Sequence, residues 1–421
     1  MPAPLTSNQV RGFWAAWGGW ALDGMDSFIY ALVLVPVPGE LLPRSGIAAT
    51  PATIGYYGSV LFALFLIGWG LSMVWGPLAD RFGRVRTLML TIVCYSLFTF
   101  LGAVATSLWE LALFRLLAGV GIGGEWSMGG TFVAEEWPED RRTRGAGYMH
   151  TGYYFGFFLA ALANDVVGAR YGWRAMFVLG GLPALLVGLI RYAVREPARW
   201  EHGERRPGVE ESFLTLFSPA YRRRTILNSI YLLVSIIGLW AGSVYVPAAV
   251  TQIATRAGVP LARAARLASY GTMILSAGTI LGCLVLPRLA DRLGRRVTLG
   301  LYFALMFLAI AVGFGYVFYL PVHALRWFFV CLFFLGLGGA NFAMYTLWLP
   351  EQYATVCRAS AFAFATSVGR FAGAGITFLV GYGVARLHTL GTPIALTSIA
   401  FLIGLALLPL GEETRGRPLP A

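Results

Sequence analysis

Twelve apolar stretches, each about as long as a bilayer's hydrocarbon core is thick, run through this chain, and that pattern decides most of what it can fold into. They read as 13–36, 53–78, 87–107, 109–135, 145–168, 172–192, 223–249, 267–289, 297–320, 324–349, 359–386 and 392–410, with short polar turns between them. At about 20 residues per crossing, twelve spans leave little for a soluble domain. Hydrophobic residues make up 57% of the 421 and charged residues only 12%, against about 25% charged in an ordinary soluble domain. A water-facing surface cannot be assembled from so few charges. The expectation is an all-α, multi-pass membrane protein embedded in lipid.

The charges set its orientation. All 32 basic residues are arginine; the chain has no lysine. Counting loops from an inside N-terminus, 22 arginines fall inside and 7 outside, while Arg115, Arg326 and Arg370 fall within spans. By the positive-inside rule both termini are cytoplasmic, at a bacterial inner membrane. The net charge of +12 is accounted for by this asymmetry and calls for no nucleic acid. The longest inside loop splits the spans six and six. The expected organisation is a tail 1–12, a six-helix bundle 13–192, a linker 193–222, a second bundle 223–410 and a tail 411–421. The first run, Phe13 to Val35, has full span length and two aspartates, so it reads as a retained helix and not a cleaved leader.

Missing residue types exclude chemistry. Without lysine there is no P-loop for ATP-driven pumping and no Schiff base for pyridoxal phosphate or retinal. The four cysteines (Cys94, Cys283, Cys331, Cys357) and four histidines show no metal-ligand spacing. Neither an enzyme nor a bound cofactor is expected.

The two halves repeat. Gly76–Arg84, GPLADRFGR, returns as PRLADRLGR at Pro287–Arg295. Asp80 and Asp291 are 211 residues apart, and the same offset carries Arg115 to Arg326. Trp137–Glu139 (WPE) is echoed by Trp348–Glu351 (WLPE), and Gly152-x-x-x-Gly156 by Gly369-x-x-x-Gly373. Two bundles repeated in one orientation are related by an axis along the membrane normal. Such proteins hold substrate at the bundle interface near the midplane and rock around it.

These motifs resemble the major facilitator superfamily over essentially the whole chain. GPLADRFGRVRT resembles its loop between helices 2 and 3, and RLLAGVGIGGEW (Arg115–Trp126) its helix 4 motif. REPARW (Arg195–Trp200) and EETRG (Glu412–Gly416) resemble the ends of helices 6 and 12 in the sugar-transporter-like branch. DGMDSFIYALVL (Asp23–Leu34), with the segment running from Gly123 to Gly145, is similar to the sialate:proton symporter family of lactate, pyruvate and sialic acid permeases. The aromatic-acid:proton symporters carry a similar D-G-x-D in helix 1. The resemblance implies the twelve-helix facilitator fold, with a role in proton coupling for the arginine matching Arg115.

A charge at the bilayer centre costs at least about 2.5–3.5 kcal/mol, so each one inside a span needs a reason. Asp23 and Asp26 sit near mid-membrane, three residues apart and on one helix face. Two close carboxylates cannot both ionise cheaply, which suits them to hold a proton; the other reading is a structural pair that bonds neighbouring helices. Glu125 lies among Gly119, Gly121, Gly123 and Gly124, glycines that let another helix approach. It either binds a proton or plays a structural part. Arg115 is poorly placed to pair with it along the same helix, and snorkelling to the headgroups is its alternative role. Arg326 is shallower still. Arg370, near the midplane of helix 11, is a natural two-point clamp for a carboxylate or the partner of one of the acids. His150 offers a proton relay or an ordinary interfacial contact. Asn341, Tyr30, Tyr57, Tyr154 and Tyr345 offer polar contacts to a substrate.

At the inner ends, Asp80 is positioned to accept from the start of helix 11, where Arg358 lies, and by symmetry Asp291 faces Arg144. With Arg81, Arg84 and Arg292 these form a candidate gate, although loop arginines obey the orientation rule in any case. The expected function is proton-coupled import of a small monocarboxylate or sugar acid by a monomer, through alternating access. Protons ride on Asp23, Asp26 and Glu125, and the carboxylate on Arg370 or Arg115. An aromatic or neutral substrate, or a non-transporting sensor, stands as the alternative.

Overall fold

A computed structural model describes residues 4–33, 36–201, 207–243 and 245–420. All regular structure among them is helical. Labelled by the spans expected above, the helices are α1 (Ser7–Val33), α2 (Pro51–Leu71, prolonged by Trp75–Phe82), α3 (Arg84–Ala103), α4 (Leu108–Glu136), α5 (Glu139–Ala163) and α6 (Ala169–Gly180 and Ala184–Ala193). Then follow α7 (Arg222–Ser243, with Val246–Arg256 beyond), α8 (Leu261–Leu293), α9 (Arg295–Gly315), α10 (Ala324–Gly339 and Asn341–Trp348), α11 (Arg358–Leu387) and α12 (Gly391–Thr397 and Ile399–Leu407). Between α6 and α7, Ala198–Glu201 and Val209–Thr215 form short helices. Leu34, Val35, Arg205 and Arg206, which the sequence reading used, lie outside the described residues.

The helix ends follow local chemistry. Thr50 caps α2 through Thr53 with Pro51 at the first position, and Ser107 caps α4 in a capping box with Glu110. The repeated R-x-G-R turns have a steric cause. Gly83 and Gly294 adopt φ of 113° and 88°, a region that disfavours side chains. A Cβ there would also strike a carboxylate, that of Glu196 at 2.4 Å or that of Glu413 at 2.6 Å.

Those carboxylates explain the two motifs at the ends of α6 and α12. Glu196 accepts from the backbone N–H groups of Val85 and Arg86, capping α3. Glu413 does the same for Arg295 and Arg296 at the start of α9. Burial pushes the Glu413 carboxyl up, but three backbone donors and Arg295 outweigh it, and its pKa lies below the usual carboxylate value.

Among the described residues, six stretches are long and apolar enough to cross a membrane; they lie in α2, α3, α8, α9, α10 and α12. The helices α1, α4, α5 and α11 are not among them, and these carry the acids, His150 and Arg370. Their polar faces turn inward. The helices approach closely where glycine permits: Gly156 of α5 faces the Ala21 carbonyl of α1, and Gly119 of α4 the Phe65 carbonyl of α2. Gly121 and Gly124 meet α3 at Tyr95 and Thr91. Gly369 of α11 packs on Leu233 and Ile236 of α7, as Gly152 packs on Trp17 of α1. The helix 4 glycines are therefore packing surfaces. The halves meet where Gly76 of α2 abuts Ser360 of α11, and where Gly147 of α5 abuts Cys283 and Pro287 of α8.

Two glycine substitutions test this packing. Gly156→Leu forces α1 away from α5 and should lower stability by about 1–3 kcal/mol. Gly375→Ala, where nothing lies within 4 Å of an added Cβ, should be neutral or stabilise by up to about 1 kcal/mol. Thermal unfolding of purified variants in one detergent reads both. A second prediction concerns pH. Because its folded pKa is lowered, the Glu413 cap contributes fully above the ordinary carboxylate range and is lost as pH falls through the folded value. The stability margin of wild type over Glu413→Gln, about 1 kcal/mol after solvent screening, should be constant above pH ~5 and shrink as pH falls through the lowered folded value.

Candidate functional site

Between the halves lies a small, water-sized cavity of about 10 Å³ walled by Trp20, Trp69, Trp126, His150, Tyr153, Tyr154, Phe342 and Arg370. Seven of these eight side chains are rings. Helices α1, α2, α4 and α5 contribute from one half, α10 and α11 from the other. Trp126 Nε1 donates to Thr346 Oγ1 of α10 at 2.8 Å, and the hydroxyls of Ser72 (α2) and Ser367 (α11) are 3.0 Å apart, so polar contacts join the halves at this level. Arg370 is 2% exposed, and its guanidinium carbon lies 3.4 Å from the centre of the Trp69 ring. Its Nε and Nη1 are buried without a hydrogen-bond partner. A guanidinium stacked on one face keeps its in-plane donors free for a planar anion.

The acids lie beside this cavity and are equally underused. Asp23 and Asp26 are fully buried in α1. One oxygen of each accepts a hydroxyl, from Ser27 at 3.2 Å and Thr99 at 2.8 Å, and the other has no partner. Both oxygens of Glu125 are buried and unpartnered, against the space left by Gly19 of α1. Asp23 feels the charges of Asp26, Arg370 and Glu125. Arg115 pairs with no carboxylate within salt-bridge distance. Its guanidinium lies 4.5 Å from the Tyr30 ring centre and 4.2 Å from that of Phe65, with all three nitrogens unpartnered. Asp26 is the acid whose charge it feels.

The arginine-rich face is closed by ion networks that cross the halves. Asp80 accepts from the N–H groups of Ala359 and Ser360 at the start of α11, at 3.2 and 2.9 Å, and from the Ser360 hydroxyl at 2.6 Å. Arg84 lies 3.2 Å from Asp80 and grips Glu135 with two donors, each at 2.9 Å. Arg358 reaches the same Glu135 at 2.7 Å from the other half. In the second half Arg295 grips Glu351 at 2.9 and 2.8 Å, and Arg142 of α5 reaches Glu351 at 3.1 Å. The expected contact between Asp291 and Arg144 is absent. Arg144 is exposed, and Asp291 is half exposed beside Arg295 at 3.6 Å. The position facing Glu351 belongs to Arg142, two residues earlier and turned inward by the helix. Arg81 and Arg292 are exposed.

Of the remaining residues singled out from the sequence, two belong to the cavity and the others lie in packing contacts. Tyr154 and His150 line the cavity. Tyr345 is buried, with its hydroxyl 2.7 Å from both Ser235 Oγ and the Tyr231 carbonyl. Asn341 is also buried, donating to the Gly338 carbonyl with its Oδ1 unpartnered. Tyr30 donates to the Gly58 carbonyl, and Tyr57 packs edge-on against Tyr56 and Trp109. Sequence reasoning passed over the network acids Glu135 and Glu351 and the cavity rings Trp20, Trp69, Trp126, Tyr153 and Phe342. The available signal was the pair of acid-and-tryptophan segments that echo each other between the halves.

Removing the shared carboxylate tests the networks. Glu135→Gln leaves Arg84 and Arg358 buried without their common partner, a loss of about 3–5 kcal/mol for this closed arrangement. Cysteine placed at Ser367 in a cysteine-free background should then react with a thiol reagent supplied from the arginine-rich face. Unchanged protection would leave the network no part in closing that face.

Comparison with known proteins places the chain in a family. The chain is 32% identical over 424 residues to a probable 4-methylmuconolactone transporter of Cupriavidus pinatubonensis, covering 97% of this chain and 92% of that one. It is 32% identical over 209 residues to the sialic acid transporter NanX of Escherichia coli, about half of each chain (50% and 49%). In fold it matches the proton:xylose symporter XylE with a TM-score of 0.77 at 18% identity, over 98% of both chains. Residues 16–377 match the family model described as Major Facilitator Superfamily. This chain, a transporter and not an enzyme, belongs to that superfamily.

Proposed function

We propose that the protein carries a small organic acid together with protons across the bacterial inner membrane, by alternating access, as a monomer with both termini cytoplasmic. The observation that supports this most is Arg370, a buried guanidinium with two unpartnered donors in the lining of a cavity between the halves. In a low-dielectric site an unpaired permanent charge is costly, and a carboxylate ligand removes that cost with two parallel hydrogen bonds. The sialic acid and 4-methylmuconolactone named for two relatives fit this direction.

Coupling follows from the neighbours. Asp23 lies within the electrostatic reach of Arg370 and of Glu125. A carboxylate that docks on Arg370 offsets the positive charge within reach of Asp23, and a proton on that acid then accompanies the anion. Asp26, held by Thr99, and Arg115 lie close by and feel each other's charge without a salt-bridge contact. The networks of Asp80, Arg84, Glu135 and Arg358, and of Arg142, Arg295 and Glu351, form the gate on the cytoplasmic side.

The direct test is the dissociation constant of a carboxylate ligand at fixed pH. Arg370→Ala should abolish binding and Arg370→Lys restore it only in part, since an ammonium cannot match the planar two-point contact. A change under about threefold, below ~1 kcal/mol, is too small for a desolvated charged contact and would remove Arg370 from the site. In vesicles, Asp23→Asn with Asp26→Asn should abolish uptake driven by a pH gradient while leaving ligand exchange. Uptake that still follows the gradient would move the proton site to Glu125.

A further inference from the structure

Beyond Glu413 the chain stays on the protein. Thr414 and Leu419 are buried, and Arg415–Pro418 are exposed between them. The Thr414 hydroxyl donates to Glu351 Oε2 at 2.5 Å, on the glutamate that Arg295 and Arg142 share. The Arg417 N–H returns to the Thr414 carbonyl at 3.1 Å and closes a reverse turn, with Gly416 at φ 74°. Nothing lies within 4 Å of a Cβ added at Gly416, so this glycine serves the backbone of the turn and spares no neighbour. Pro418 and Pro420 flank Leu419 and favour an extended backbone there.

The last described residues lie across the seam between the halves. The Leu419 N–H donates to Glu139 at the start of α5, at 3.3 Å, and its carbonyl accepts from Arg199 Nη1 of the short helix Ala198–Glu201, at 3.4 Å. Arg199 also holds Glu139, at 3.0 Å. The next carbonyl, that of Pro420, accepts from Arg358 Nη2 at 2.5 Å, and the same guanidinium holds Glu135. Two consecutive residues therefore bridge α5 and the linker on one side to α11 on the other. A single peptide link has no slack, so when the halves part on this face one of the two attachments must break. The α5 side is the weaker. Arg199 and Glu139 are 38% and 49% exposed, whereas Arg358 is fully buried. A contact made in the closed form alone moves the balance toward that form by its own worth.

We infer that residues 414–420 are an autoinhibitory strap. Anchored on the second half through Thr414 and Arg358, it clips Leu419 onto α5 and the linker and holds the arginine-rich face shut. On opening it lets go at Leu419 and moves with the second half. This rests on reading that face as one that opens, and adds to the ion networks a restraint carried by the tail.

The test needs no substrate. In full-length, cysteine-free protein carrying Ser367→Cys, the rate of reaction with a thiol reagent supplied from the arginine-rich face measures how often that face opens. Two substitutions release the strap without touching the networks. Leu419→Asp sets a second carboxylate against Glu139 and removes the buried side chain. Gly416→Val places a β-branched residue at a positive φ and undoes the turn. Each should raise the rate about three- to tenfold, the worth of one net hydrogen bond. Gly416→Asn, which tolerates that φ, and Arg415→Ala, on the exposed stretch, should keep the parent rate. If both releasing variants react at the parent rate while Glu135→Gln reacts faster, the strap is overturned and the ion-paired closure stands. Equally fast reaction in Gly416→Asn and Arg415→Ala marks general loosening and overturns it as well. If Glu135→Gln also stays at the parent rate, the face does not open, and the strap falls with that reading.

Discussion

A charge buried in a bilayer must be partnered or used, and in this molecule the two cases separate by depth. At the arginine-rich face the buried arginines of the networks are ion-paired: Arg84 and Arg358 share Glu135, and Arg142 and Arg295 share Glu351, although Arg142 keeps two nitrogens without a hydrogen-bond partner. At the level of the cavity the pairing stops. Arg370, Arg115, Asp23, Asp26 and Glu125 all hold polar atoms without partners. A protein that merely needed to stand in the membrane would have joined these groups to one another, since the acids and arginines lie on adjacent helices. Left unjoined, they suit the proposed role of meeting protons and a substrate that come and go.

The two networks share a plan but not every part. In each half an arginine that opens a helix (Arg84, Arg295) grips a glutamate from the end of another (Glu135, Glu351), and an arginine from the opposite half (Arg358, Arg142) joins it. The aspartates break the symmetry. Asp80 is buried against the first turn of α11, where three donors hold it, whereas Asp291 is half exposed beside Arg295. The α2–α11 seam is therefore locked more firmly on this face than the α5–α8 seam. The C-terminal tail adds to both sides: Thr414 bonds Glu351, Pro420 accepts from Arg358, and Leu419 bonds Glu139 of α5.

Much of this was legible in the sequence because bilayer physics writes it there in large letters. Span length, arginine asymmetry and the 211-residue repeat lead to the helix order, and intramembrane charge leads to Asp23, Asp26, Glu125 and Arg370. The turn glycines Gly83 and Gly294 were visible as motif, and their cause, a positive φ against a capping carboxylate, only in three dimensions. What remained hidden depended on which way a side chain faces. Arg142 and Arg144 are two residues apart and look alike in a list, but a helix turns them about 200° from each other. One is buried on Glu351 and the other faces outward. Tryptophans that line a cavity cannot be told by sequence from those that face lipid, since both are apolar and abundant here.

The shared glutamates also constrain how the face can open. Parting the halves breaks Arg358 from Glu135 and Arg142 from Glu351, and frees Asp80 from α11. Each break exposes a charge that had been kept from water, so each is unfavourable until solvent enters to take the partner's place. A small separation loses the ion pairs without admitting water, and it is the least stable arrangement of all. The face is stable when shut and stable when wide enough to be wet, with a barrier between. A closure built this way has two positions, as the alternating access proposed above requires. On the proposed reading Arg370 works in the same direction, because it is unpaired without a ligand, and a carboxylate would remove that penalty before the ion pairs have to part.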